Sequence, residues 1–196
     1  MTSDAALAAV RGHVEDHAAV TTRLLADEGR LAAVAAVAGA VTAALRAGQK
    51  LLLFGNGGSA ADAQHLAAEF VGRYRRERNA LPALALSTNT SALTAIGNDY
   101  AFADIFARQV EGLGQRGDVA IGLTTSGTSP NVLRALEAAK RNGLVTVAFT
   151  GGADTPMTEL VDHCIQAPTT DTPRVQEVHI LLGHVVCELV EPELFP

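Results

Sequence analysis

The segment from Leu51 to Tyr74 constrains the fold of this chain more than any other part of the sequence. A mostly apolar run at 50–54 predicts a buried strand, the glycines after it predict a tight turn, and Ser59 is expected to be the N-cap of a helix that ends near Gly72. The backbone N–H groups of a glycine turn and of a helix start can bind an anion together. This order of elements therefore predicts an anion site large enough for a phosphate group.

Strand and helix patterns alternate along the rest of the chain and predict its architecture. Alanine-rich residues 4–47 predict two helices divided at Gly29, which form a helical extension before the first strand. The alternation beyond them indicates an α/β fold of three layers, with a doubly wound, flavodoxin-like parallel sheet of five strands between helices. We therefore expect one domain over residues 1–196. The strands are predicted near 50–54, 82–86, 118–123, 145–149 and 163–166.

Composition and charge argue against several classes of protein. The chain has 196 residues, of which 48% are hydrophobic and 18% are charged, as expected for a globular domain. Its net charge of -6 argues against nucleic acid as a partner, because phosphate backbones favour basic surfaces. We find no apolar run of membrane-spanning length and no signal-peptide pattern, so we expect a cytoplasmic protein with no membrane partner. Cys164 and Cys187 form no CxxC motif and are expected to be buried, reduced thiols.

A second polar loop follows the predicted third strand, at residues 124–131 (TTSGTSPN). Its hydroxyl groups surround one glycine at a helix start, and this arrangement suits a phosphate monoester. The same residues also fit an ordinary loop, with Ser129 or Thr128 as the N-cap and Pro130 at the first helical position. Ligands in open parallel sheets bind beyond the carboxyl ends of the strands, so the position of the loop favours phosphate binding.

Two helices carry side chains that could hold a metal ion. His65 and Glu69 lie four residues apart on one helix, and Gln176 and His184 lie eight residues apart on the predicted C-terminal helix at about 173–191. Two imidazoles, a carboxylate and an amide oxygen are acceptable ligands for zinc. The spacing alone also fits a solvated pair of surface residues on each helix, so both interpretations stay open at this point.

Other basic residues and histidines have structural explanations. The run at 73–78 (RYRRER) is expected to be a solvated turn, although Arg73 lies one helical turn beyond Glu69 and could face the site. The remaining histidines are expected to be surface or packed core residues. They are His13, His17, His163 and His179.

Four motifs in a fixed order carry a family resemblance: GNGGSAADAQHLAAEF, LSTNTSALTAIGNDY, TTSGTSPNVLRAL and TPRVQEVHILLGH. Together they resemble the sugar isomerase (SIS) domain, and within it the sedoheptulose 7-phosphate isomerases, also called phosphoheptose isomerases. The resemblance extends over essentially the whole chain. It implies an isomerase that converts D-sedoheptulose 7-phosphate into D-glycero-D-manno-heptose 7-phosphate, with one Zn²⁺ per subunit. It also implies a homotetramer with sites at subunit interfaces, in which the N-terminal helices (1–47) take part in oligomerisation.

The resemblance also implies a role for individual residues. Glu69 would be the base that moves a proton between two carbons through a cis-enediol, and His184 would be the acid that moves protons on the oxygens. The implied zinc ligands are His65, Glu69, Gln176 and His184. The implied substrate contacts are Asn56, Gly57, Gly58, Ser59, Arg73, Asn98, Asp99, Thr124, Thr125, Ser126, Ser129 and Gln176.

Two other functions remain open on the sequence. One is a non-catalytic SIS interaction protein, similar to those that associate with the replication initiator DnaA, although such a protein does not need a complete metal set. The other is an isomerase or sensor for another sugar phosphate, because phosphate loops leave the length of the sugar unspecified. The resemblance implies the first step of nucleotide-activated heptose biosynthesis. Lipopolysaccharide precursor supply is its family default, and a surface glycan or a secondary metabolite are the other destinations.

Overall fold

The computed structural model describes residues 2–152 and 154–196. Within these residues, five parallel strands form one sheet in the order β2-β1-β3-β4-β5. This order and the helices on both faces confirm the predicted doubly wound α/β fold. The strands are β1 (Leu51–Gly55), β2 (Ala83–Ala85), β3 (Val119–Leu123), β4 (Val145–Thr150) and β5 (His163–Gln166).

Helices cover both faces of the sheet because the strands are apolar on both sides. In β1, Leu51 and Leu53 pack toward one helix layer, and Leu52 and Phe54 pack toward the other. The first layer contains α2, α3 and α8, and the second contains α5 and α6. In the described part of the chain the helices are α1 (Ser3–Leu25), α2 (Glu28–Arg46), α3 (Gly58–Val71), α4 (Thr90–Asp99), α5 (Ala107–Leu113), α6 (Pro130–Arg141), α7 (Pro156–Leu160) and α8 (Thr172–Leu194).

The register of the sheet brings the two polar loops to one edge. Leu53 of β1 lies beside Ile121 of β3, which lies beside Val147 of β4. Because these strands are parallel and in register, the loops that follow β1, β3 and β4 leave the sheet at the same end. The loop before α8 begins at this end as well, after β5.

The N-terminal helices divide at a different residue from the one predicted. α1 ends at Leu25, and Asp27 is the N-cap of α2, where its carboxylate accepts a hydrogen bond from the backbone N–H of Arg30 at 3.0 Å. Gly29 lies inside the first turn of α2. An aspartate cap is a stronger helix start than a glycine, so the capping residue sets the division.

Among the described residues, α2 is the helix with the length and hydropathy of a membrane span. The expectation that no apolar run has this length is therefore wrong. One side of α2 packs into the core through Val34, Val37 and Val41. A core helix of this kind passes the same length and hydropathy test as a membrane-spanning helix.

Candidate active site and metal cluster

The glycine loop after β1 begins α3 without a side-chain cap. Gly57 is the N-cap, with a φ of 57°, and Ser59 lies buried one residue inside the helix. The prediction that Ser59 is the N-cap is wrong, because the left-handed backbone at Gly57 turns the chain into the helix two residues earlier. A Cβ atom at Gly58 would lie 2.4 Å from Nε2 of Gln176, so α8 contacts this loop closely.

The hydroxyl loop after β3 is compact. Oγ1 of Thr124 lies 3.0 Å from Oγ of Ser129 and 3.4 Å from Oγ of Ser126. As predicted, Ser129 is the N-cap of α6 and Pro130 occupies the first turn, but no side chain caps the helix start. The N–H groups of Val132 and Leu133 donate to the carbonyl oxygen of Ser129, so the N–H of Asn131 and the hydroxyl groups of the loop are the groups available to an anion.

A cavity of about 200 Å³ lies beside this loop. Thr125 and Ser126 line it from the loop, Gly151 lines it from the residues after β4, and Thr170 and Thr172 line it from the start of α8. Sequence reasoning missed the last three residues. The run of threonines between the last strand and the C-terminal helix was the signal that could have identified two of them.

A reciprocal pair of amides joins the two loops. Nδ2 of Asn56 donates to Oδ1 of Asn131, and Nδ2 of Asn131 donates to Oδ1 of Asn56, each at 2.8 Å. Asn131 is buried at the start of α6 and had no predicted role. The side-chain amide of Asn56 is thus fully engaged by Asn131, which holds the glycine loop beside the hydroxyl loop.

Three of the four predicted metal ligands form a cluster between α3 and α8. Nε2 of His65 lies 2.9 Å from Nε2 of His184 and 3.3 Å from Oε1 of Glu69. One candidate ligand atom from each of the three residues lies within 4.8 Å of the others. Two imidazole nitrogens and a carboxylate oxygen are donors that Zn²⁺ accepts, so the donor set fits the predicted ion.

A glycine makes this cluster sterically possible. A Cβ atom at Gly183, the residue before His184, would lie 2.6 Å from Cδ2 of Leu66, the residue after His65. The helices therefore approach each other closely where their histidines face one another. Gln176 lies eight residues before His184, which is about 12 Å of helix rise, and its amide lies against Gly58.

Comparison with known proteins identifies the family. The family model described as "SIS domain" matches residues 14–151. A phosphoheptose isomerase from Bradyrhizobium sp. (strain ORS 278) is 51% identical over 98% of this chain and 97% of its own length. The chain belongs to the SIS-domain phosphoheptose isomerase family. As a member of this family, it is an isomerase.

Solved structures of family members share the fold. The phosphoheptose isomerase of Neisseria gonorrhoeae has a TM-score of 0.88 and 38% identity, and the match covers 95% of this chain and 98% of that one. The phosphoheptose isomerase of Francisella tularensis has a TM-score of 0.91 and 32% identity, with 98% and 100% of the two chains covered. The N-terminal helical segment is thus part of the shared SIS-family architecture.

Asn98 and Asp99 lie apart from the other predicted site residues of this SIS-domain isomerase. Both are exposed at the end of α4, where Nδ2 of Asn98 donates to Oδ1 of Asp99 at 2.8 Å. Neither residue lines the cavity or belongs to the metal cluster. Arg73 is also exposed, and its Nε lies 3.6 Å from Oε2 of Glu77.

The run at 73–78 is only partly the solvated turn that was predicted. The side chains of Arg78 and Glu191 are 2% and 5% exposed. Nε of Arg78 donates to Oε1 of Glu191 at 3.1 Å. The prediction is therefore wrong for Arg78. Local sequence could not show this pairing, because its partner lies 113 residues away on α8.

His179 and Cys187 are packed core residues on the buried side of α8. Burial lowers the pKa of His179 to about 4, although a hydrogen bond from its Nε2 to the carbonyl oxygen of Thr150, 3.0 Å away, acts in the opposite direction. Burial raises the pKa of Cys187 to about 12. Cys187 and Cys164 are free thiols, and Cys164 is half-buried rather than fully buried.

Proposed function

We propose that this isomerase acts on a sugar phosphate and converts D-sedoheptulose 7-phosphate into D-glycero-D-manno-heptose 7-phosphate. The observation that carries the proposal is the cluster of His65, Glu69 and His184 on two helices that also border the polar loops. Proton transfer groups on two helices that border the phosphate-binding loops suit an isomerase of this type. The names of the family members support the choice of a heptose.

The phosphate end of the substrate is assigned to the hydroxyl loop and the adjoining cavity. Thr124, Ser126 and Ser129 present hydroxyl groups close together, and the first turn of α6 adds the backbone N–H of Asn131 and the helix dipole. Thr125 lines the adjacent cavity. The glycine loop supplies further N–H groups beside it at Gly57 and Gly58, whereas the N–H of Ser59 donates to the carbonyl oxygen of Asn56 at 3.0 Å.

The reaction requires one proton to move between carbons and one between oxygens. Glu69 takes a proton from C1 of the ketose and returns it to C2, while His184 gives a proton to the oxygen on C2 and removes one from the oxygen on C1. The intermediate is a cis-enediol, and the atoms balance without an external oxidant. This assignment places base and acid on facing helices, as the cluster does.

His65, Glu69, Gln176 and His184 would hold one Zn²⁺ per subunit. The ion, when bound, polarises the substrate oxygens as a Lewis acid. Gln176 would complete the set only after its amide moves from its position against Gly58 toward the cluster. Because a metal-bound carboxylate is a weaker base, Glu69 would act as ligand and as base at different stages.

We further propose a cytoplasmic homotetramer with sites at subunit interfaces. Exposed apolar residues support this assembly: Leu7, Val10 and Val14 follow one another at helical spacing on α1, within the N-terminal helices at 1–47. Asn98, Asp99 and Arg73 are exposed, so they can face the site of a neighbouring subunit or a substrate at the interface. The product would enter nucleotide-activated heptose biosynthesis, with lipopolysaccharide precursor supply as the proposed destination.

The test is NMR of the purified protein with sedoheptulose 7-phosphate in D₂O. The protein is measured as purified, after chelation, and after Zn²⁺ is restored. We expect aldose signals with deuterium at C2 that disappear on chelation and return with Zn²⁺. Absence of turnover with Zn²⁺ present would reject this substrate, and the same assay with pentose and hexose phosphates would then identify another one.

A further inference from the structure

The residues at 73–78, which follow α3, form a clamp segment against the C-terminal half of α8. The carboxylate of Glu191 accepts hydrogen bonds from the backbone N–H groups of Tyr74, Arg75 and Arg76 at 3.1, 2.9 and 3.0 Å. These donors lie just after the last turn of α3. One side chain of α8 therefore binds three consecutive residues of the clamp segment.

Arg78 connects the same carboxylate to the end of α3. Its Nε donates to Glu191, one terminal nitrogen donates to the carbonyl oxygen of Glu69 at 2.7 Å, and the other donates to that of Phe70 at 2.7 Å. These carbonyls belong to the last turn of α3 and have no partner within the helix. The buried Arg78–Glu191 pair thus joins the backbone of Glu69 directly to α8.

Tyr74 contacts the other helix of the metal cluster. Its ring lies 5.8 Å from the ring of His184, centroid to centroid, with an angle of 34° between the planes. Its hydroxyl donates to Oε1 of Glu188 at 3.3 Å, and Glu188 also pairs with Arg75. The Tyr74 ring therefore restricts the orientation of the His184 imidazole.

We propose that the clamp segment is a positioning element that sets the geometry of the metal cluster. Arg78 and Glu191 set the distance between the α3 backbone at Glu69 and α8, and Tyr74 sets the orientation of the His184 ring. None of the three touches the reacting atoms. The proposal rests on the metal site included in the proposed function, because the cluster of His65, Glu69 and His184 is what the clamp segment would align.

The chain offers a matched control for a purely structural role. Asp118, like Glu191, is a buried carboxylate. It accepts hydrogen bonds from the backbone N–H groups of Lys50 and Gln115 and from the side-chain ammonium of Lys50. It lies at the amino end of β3, at the opposite edge of the sheet from the polar loops. Asp118→Asn should therefore lower stability in the same way as Glu191→Gln without reaching the cluster.

The experiment measures Co²⁺ binding and the visible absorption spectrum of bound Co²⁺, which reports ligand geometry. We expect the wild type to bind one Co²⁺ per subunit. Glu191→Gln should bind Co²⁺ with an affinity about 10–100-fold weaker and with a changed spectrum. Asp118→Asn should keep the wild-type affinity and spectrum. Tyr74→Leu should change the spectrum as well. Tyr74→Phe, which keeps the ring, should restore most of the wild-type spectrum.

Each outcome separates this proposal from the metal site itself. If the wild type binds no Co²⁺, the metal site is rejected and the clamp segment loses this role with it. If the wild type binds Co²⁺ but Glu191→Gln and Tyr74→Leu give wild-type affinity and spectrum, the clamp proposal alone is rejected. Equal weakening by Glu191→Gln and Asp118→Asn would also reject it, and Tyr74→Leu remains a test if Glu191→Gln does not fold.

Discussion

Burial of a neutral His179 is expected to make the protein less stable at acidic pH, because this histidine gains a proton when the chain unfolds. The side chain is fully buried against Phe149, and its pKa is lowered from an ordinary 6.5 to about 4. A histidine whose pKa is lower in the folded state stabilises the fold above pH 6.5, and this contribution is lost as the pH falls toward 4. At 1.36 kcal/mol per pKa unit, the difference in pKa contributes about 3 kcal/mol to the free energy of unfolding. About 2.5 kcal/mol of this contribution is lost by pH 4.5.

The comparison with His179→Leu isolates this contribution. Leucine removes the titrating group, and the carbonyl oxygen of Thr150 keeps its hydrogen bond from the backbone N–H of Ala167 at 2.9 Å. The free energy of unfolding is measured by urea denaturation of both proteins between pH 7.5 and 4.5. The wild type should lose about 2.5 kcal/mol more than the variant over this range. Equal losses would show that the pKa of His179 is the same in the folded and unfolded states, and would refute the reasoning.

Three further predictions concern the site. Asn131→Ala removes the amide bridge between the loops, so KM for the sugar phosphate, measured by steady-state kinetics, should rise. The free energy of unfolding, measured by urea denaturation, should fall by about 1–3 kcal/mol. An unchanged KM would contradict this. Gly58→Ala should displace the Gln176 amide and lower activity with little change in Tm, whereas unchanged activity would argue against Gln176 as a ligand. Gly183→Ala should push α8 from α3 and weaken Co²⁺ binding, measured by titration, and an unchanged affinity would contradict this.

Local patterns in the sequence were sufficient to predict the helices and strands and the chemically active side chains that each of them carries. Apolar runs identified the strands of the sheet because a parallel sheet is buried on both faces, and the turn residues marked the loops at its carboxyl edge. The periodicity of a helix placed His65 beside Glu69 without any knowledge of the fold. The family motifs then assigned roles that spacing alone left open.

The sequence by itself therefore determined the sheet, the polar loops and the candidate ligands, and the tertiary structure decided which of these residues meet. His65 contacts His184 across 119 residues of sequence, Asn56 contacts Asn131 across 75, and Arg78 contacts Glu191 across 113. Periodicity reports neighbours within one element, whereas these pairs depend on how two elements pack. The close approach of α3 and α8 at Gly183, and the burial of a charged pair in a run that looked solvated, follow from that packing alone.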